Sequence, residues 1–176
     1  MERKRTFKIT VSALFTAVIA LLAQISIMTP SVPITLQILG IALCGYTLSL
    51  KWALSCVVTY IALGCLGLPV FSSFQGGIHI VLGPTGGFII GFIFLTIGCS
   101  LSQNLKHGIL KITLGIAGVL LCHLAGVIQY SAVSGNSISA SFVTTSLPFV
   151  LKDILLLVAA FYMSNLVRKR LKTLKL

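Results

Sequence analysis

The chain has 176 residues, of which 57% are hydrophobic and 9% charged, with a mean hydropathy of +1.09. A soluble domain carries about a quarter charged residues, so this composition excludes one and points to a membrane protein. The net charge of +11, from 13 Lys and Arg against 2 acids, would suggest nucleic-acid binding in a soluble chain. The positions of the charges speak for no nucleic-acid partner here.

In chain order, the apolar residues fall into six runs, at 9–28, 34–50, 53–68, 85–101, 109–130 and 147–167. Most have the ~20-residue length that crosses a bilayer core at ~1.5 Å per residue. The first, with its basic start, resembles a signal peptide. Cleavage is not expected, because no small-residue site follows and five more runs come after it. The link to the second run, "TPSVP", is kept tight by Pro30 and Pro33. The third run is the shortest. Between it and the fourth lies "GLPVFSSFQGGIHIVLGPTGG", residues 67–87, with six glycines and two prolines. The fifth run leads into a Ser/Gly/Thr-rich loop, "SAVSGNSISASFVTT".

The cations cluster at the run ends. Arg3, Lys4, Arg5 and Lys8 precede the first run, and Lys51 separates the second from the third. Lys106 and Lys111 flank the link from the fourth to the fifth, and Arg168, Lys169, Arg170, Lys172 and Lys175 follow the sixth. All lie on one side of an even-numbered bundle, and the positive-inside bias places that side, with both termini, in the cytoplasm. The expected fold is all-α: an integral, multi-pass protein of the cell membrane, with residues 1–176 forming one domain of six transmembrane helices. Residues 67–87 face outward. Irregular backbone at membrane depth must be shielded by protein or water, and glycine permits close approach and positive φ. The segment is therefore expected to be a re-entrant lid over the bundle mouth.

Polar side chains collect at the same end. Gln24, Gln37, Gln75 and Gln129 lie near the outer ends of runs or in the lid. Asp153 sits about six residues into the sixth run, roughly 9 Å deep at helical rise. Apart from Glu2 it is the only carboxylate, and Lys152 beside it is the only cation outside the cytoplasmic set. An ionisable group at that depth is a candidate functional residue; the alternative is an Asp that caps a helix or simply pairs with Lys152. Apolar walls with a few placed polar groups suit a small, weakly charged molecule. A cation pathway would need a ring of acids or carbonyls.

Other chemistry is missing. There is no G-x-x-x-x-G-K-[ST], no H-E-x-x-H and no C-x-x-C, so neither a metal nor a cofactor is implied and the chain is not expected to be an enzyme. The five cysteines read as small apolar packing residues. His123, mid-run, reads as a hydrogen-bonded core histidine rather than a ligand. His79, in the lid, is a candidate contact. Ala13, Ala17, Ala20 and Gln24 share one narrow helix face. Small residues at i and i+4 allow close helix approach, either inside the bundle or against a partner. Gly87 and Gly91 form a G-x-x-x-G that suits internal packing.

"PITLQ" at 33–37, "GLPVF" at 67–71, "GPTGGF" at 83–88 and "LPFVLKD" at 147–153 together resemble the BioY family of biotin transporters. These are the S components of energy-coupling factor (ECF) transporters. The resemblance covers nearly the whole chain, in order. It implies six helices, an external biotin site with a lid, and a partner module of one transmembrane coupling protein and two ATPase subunits. The resemblance matches its acid to Asp153 and its docking face to Ala13 and Ala17; with the other residues at this end of the bundle, the candidate biotin contacts are Asp153, Lys152, Gln75, His79, Thr85, Gln129, Gln37 and Phe71. Biotin suits such a pocket: its ureido ring offers N–H donors to a carboxylate and a carbonyl to amide donors, and its thiophane ring and valeryl chain need apolar walls. The resemblance also implies a Lys three positions after the acid, where this chain has Leu156, and a Gly after the second helix, where it has "SLKW". Lys152 either bends into the pocket in that lysine's place, where it can also serve biotin's carboxylate, or snorkels to the headgroups. Two other readings remain: an S-type subunit for another small vitamin, and a membrane assembly factor without a ligand.

Overall fold

The computed structural model describes residues 2–29 and 32–173. Pro30 and Lys175 lie outside the described residues. Each apolar run becomes a helix, but the helices do not share the runs' boundaries. They are α1 (Glu2–Gln24), α2 (Gln37–Thr47), α3 (Leu50–Cys65), α5 (Gly86–Ser102), α6 (Gly108–Ser134) and α8 (Leu147–Thr173). By length and composition, α1, α6 and α8 can each cross a membrane, while α2, α3 and α5 are shorter apolar helices.

The first run's end and the second run's start shorten for one reason. After Gln24 the backbone turns extended, and β1 (Ser26–Ile27) pairs antiparallel with β2 (Ile34–Thr35), Ser26 opposite Thr35 and Ile27 opposite Ile34. Pro33 cannot donate a backbone hydrogen bond and favours extended backbone before it. The connection is thus a small hairpin capping the bundle, not a bare turn between two long helices.

α2 is the central helix. Every residue of it except Leu39 is buried, and it packs against α8, α5, α1 and α3. Around it the core runs from Val11 of α1 to Ala160 of α8. The Gly87/Gly91 pair packs internally, as its spacing suggests. A Cβ at Gly91 would lie 2.7 Å from Cys122 Cα, so glycine there sets how closely α5 approaches α6.

Residues 66–85 fold back onto the bundle. Gly67 and Gly77 adopt φ of 96° and 110°, which glycine tolerates without steric cost. Gly77 N–H donates to Gly64 O at 2.7 Å, and Phe71 N–H to Gln75 O at 2.9 Å. A 3-10 turn (Ser72–Phe74) and the short helix α4 (Ile78–Leu82) complete the segment. Phe71 is driven inward, 1% exposed, into the notch that Gly64 leaves open. The Ser/Gly/Thr-rich stretch expected to be a loop is largely helical. α6 runs on to Ser134, and α7 (Ile138–Thr145) follows, capped by Ser137, whose hydroxyl accepts from Ala140 N–H at 3.3 Å.

Candidate functional site

Two helices and the hairpin bring one charged cluster together. Asp153 of α8 is 6% exposed. Its Oδ2 lies 3.1 Å from His123 Nε2 of α6, and its Oδ1 lies 2.6 Å from Lys152 Nζ. Beyond that ion pair, Oδ1 has no hydrogen-bond donor among the described residues. On the other side of the imidazole, His123 Nδ1 lies 2.9 Å from Ser146 Oγ. A neutral imidazole satisfies this arrangement: Nε2–H donates to the carboxylate and Nδ1 accepts from Ser146. The buried carboxylate thus has an ammonium on one oxygen and an imidazole N–H on the other, which offsets its desolvation.

Lys152 also donates to Thr35 O in β2 at 2.9 Å. The chain of bonds continues from there. Thr35 Oγ1 donates to Gln37 Oε1 at 2.9 Å, Gln37 Nε2 donates to the Tyr60 hydroxyl at 2.7 Å, and that hydroxyl donates to Val70 O at 3.1 Å. A polar path therefore runs from Ser146, the residue between α7 and α8, through the ion pair and the hairpin, to the 66–85 segment. Buried polar networks of this kind fix geometry when every member is satisfied.

The path borders a cavity of about 60 Å³. Asp153, Lys152, His123, Gln37, Thr35 and Thr85 give it polar patches. Phe71, Phe88, Phe92, Phe149, Ile38 and Ile89 supply apolar walls. Phe88 meets the His123 ring edge-on at 5.7 Å, and Phe71 meets Tyr60 at 5.6 Å. The cavity offers a carboxylate oxygen, an ammonium and aromatic faces, the equipment for a compact ring bearing N–H donors.

Of the eight candidate contacts, Asp153, Lys152, Gln37, Thr85 and Phe71 line the cavity, and Gln75, His79 and Gln129 do not. Gln75 and His79 are exposed, because the 3-10 turn and α4 direct them away from the bundle. Gln129 holds the segment instead, donating from Nε2 to Val81 O and Gly83 O at 2.8 Å each. Gln24 does the same at the other end: it accepts from Phe74 N–H at 2.8 Å and donates to Phe71 O at 3.1 Å. Lys152 turns inward, and Leu156 packs against the core, so the ammonium comes from the residue before the acid. His123, Thr35, Tyr60, Phe88 and Phe149 were not among the candidates. A phenol inside an apolar run must find a partner when buried, and that was the available signal for Tyr60.

Ala13 and Ala17 are exposed. With Ala20, Leu63 and Phe74 they line an apolar groove of about 630 Å³ between α1, α3 and the 66–85 segment. The small-residue face is therefore not buried inside this chain.

The BioY family model matches residues 1–173. The chain is 37% identical over 168 residues to "Biotin transporter BioY" of Thermotoga maritima, covering 93% of this chain and 95% of that protein. It is 35% identical over 147 residues to "Probable biotin transporter BioY" of Pyrococcus horikoshii, covering 84% and 87%. Among solved structures, the S-component for biotin from an ECF-type ABC transporter superposes with a TM-score of 0.87 at 27% identity, covering 96% of this chain and 94% of that one.

Proposed function

This chain belongs to the BioY family, and we propose that it is the biotin-binding S component of an ECF transporter. It is a membrane protein and not an enzyme. It captures biotin in an outward-facing site for translocation driven by a partner module of one coupling protein and two ATPase subunits. Six helices cross the cell membrane as one domain, with both termini cytoplasmic. α2, at 11 residues, is roughly 16 Å long at helical rise, and the hairpin before it completes the crossing.

The observation that carries this reading is Asp153, held between Lys152 and His123 with Oδ1 free of other donors, in the wall of an aromatic cavity. Oδ1 accepts a ureido N–H, and the remaining donor of Lys152 reaches the ureido carbonyl. Phe71, Phe88 and Phe149 enclose the thiophane ring and valeryl chain. Residues 66–85 act as the lid: they contribute Phe71 and Thr85 to the site and are tied down by Gln24 and Gln129. The exposed Ala13–Ala17 face is the docking surface for the coupling protein, where small side chains permit close approach.

The test is direct binding. Purified protein in lipid nanodiscs is titrated with biotin, thiamine and riboflavin by calorimetry. Biotin alone should bind tightly. Selective binding of another vitamin would reassign the substrate, and no binding by a folded protein would reject the transport reading.

A further inference from the structure

The far end of the bundle from the biotin site carries a second cleft of about 440 Å³, where α1, α3 and α8 meet the α2–α3 turn. Lys8 and Arg168 line it, with Trp52, Ser49 and Thr47. Three features mark it as a built site. Arg168 is preset: its Nη2 donates to Gln103 Oε1 at 2.7 Å, and Gln103 Nε2 is itself fixed to Gly45 O and Leu48 O at 2.6 Å each. Its other N–H groups remain for a ligand. Thr47 is only 8% exposed, yet its hydroxyl has no hydrogen-bond partner. Among the described residues no acid balances the cations: no carboxylate lines the cleft, neither Lys8 nor Arg168 forms an ion pair, and Asp153 is engaged at the biotin site. Ser49, the residue before α3, makes no side-chain cap bond, so the positive end of that helix adds to the same field.

We propose that this cleft binds the phosphate of an anionic glycerophospholipid of the inner leaflet, with Arg168 and Lys8 on the phosphate oxygens and Trp52 at the headgroup boundary. The shared chemistry is a phosphate oxyanion. A lipid is the source the site favours, because Phe7, Leu48 and Leu171 line the same cleft and offer apolar surface to acyl chains. Basic clefts between membrane helices suit such headgroups, and tryptophan concentrates at that depth.

Trp52 is the only tryptophan in the chain, so intrinsic fluorescence reads the cleft directly. The protein in phosphatidylcholine nanodiscs is doped with a small fraction of brominated phosphatidylglycerol or, in parallel, brominated phosphatidylcholine. The anionic lipid should quench Trp52 at about tenfold lower mole fraction, given two cations near the surface. Lys8→Gln/Arg168→Gln should lose that preference while still binding biotin, which shows that it folds. Lys8→Gln alone, at an exposed position, should lose part of it. Equal quenching by both lipids in the parent protein would overturn the proposal. So would a preference that survives in the double variant, since diffuse surface charge would then explain it. Displacement of the brominated lipid by millimolar glycerol 3-phosphate would assign the site to a soluble phosphate. If the parent shows no preference and the double variant loses only the coupling module on co-purification, the cleft serves a protein.

Discussion

Asp153→Asn keeps the shape of the side chain and removes its charge. In the parent protein Oδ1 lies 2.6 Å from Lys152 Nζ and Oδ2 3.1 Å from His123 Nε2. The substitution leaves a partly buried ammonium with Thr35 O as its remaining protein acceptor, and a biotin N–H then meets a neutral amide. A hydrogen bond to a charged group contributes roughly 1.5–3 kcal/mol, so affinity should fall by about one to two decades. Stability should fall too, because removing one partner of a buried ion pair costs up to about 3–5 kcal/mol. The Lys152 side chain is 29% exposed, and water screens the ammonium, so the loss should lie below that range. The two effects separate by experiment: biotin titration in nanodiscs reads the first, and thermal unfolding without ligand reads the second. Asp153→Ala should lose at least as much affinity. If Asp153→Asn binds biotin within threefold of the parent, the carboxylate does not accept from the ligand, and the reasoning from the cluster is wrong.

Lys152→Ala should weaken biotin and biotin methyl ester alike, because the ammonium sits at the Asp153 end; a loss confined to the free acid would place Lys152 at the valeryl carboxylate. Tyr60→Phe should speed biotin release about tenfold and raise hydrogen exchange over residues 67–77, because Gln37 Nε2 and Val70 O both lose a partner worth roughly 1–3 kcal/mol; stopped-flow release at the parent rate would show that Tyr60 does not hold the 66–85 segment in place. In Gly64→Ala the new methyl meets the Phe71 ring, and overpacking of about 1–3 kcal/mol should lower both the unfolding temperature and biotin affinity; unchanged values would mean the ring has room to move. Ala17→Leu should leave biotin binding intact and abolish co-purification with the coupling module and uptake, whereas retained uptake would clear that face of a docking role.

Hydropathy revealed where the helices lie because each apolar run is long and bounded by charge, glycine, proline or a hydroxyl residue. It did not reveal the hairpin: two paired residues on each strand carry no periodicity, and Ile27 and Ile34 read as continuations of the helices. Nor did it reveal α7, since serine and threonine favour loops and caps until a particular fold recruits them. Asp153 and Lys152 stood out because charge inside an apolar run is costly. The glutamines show the limit most clearly. Gln37 lines the cavity, while Gln24 and Gln129 tie down the segment above it. All three are amides near the same end of the bundle, and residue type alone does not say whether the partner is a ligand or a carbonyl of the lid.

Lys152 and Asp153 are adjacent on one helix, about 100° apart, and adjacent helical positions do not face each other. Their ion pair therefore needs a reason outside α8. Thr35 O supplies it, drawing the ammonium toward the cavity at 2.9 Å, and that carbonyl is presented by the hairpin that shortens the first two apolar runs. The hairpin also sets Thr35 Oγ1 against Gln37, which reaches Tyr60 and through it the Val70 carbonyl of the 66–85 segment. One two-residue strand thus serves both ends of the path. It aims the cation at the carboxylate, and it links that carboxylate's surroundings to the segment over the site. A ligand that engages Asp153 and takes the third donor of Lys152 shares that ammonium with Thr35 O, and the 66–85 segment lies three hydrogen bonds further along the same path.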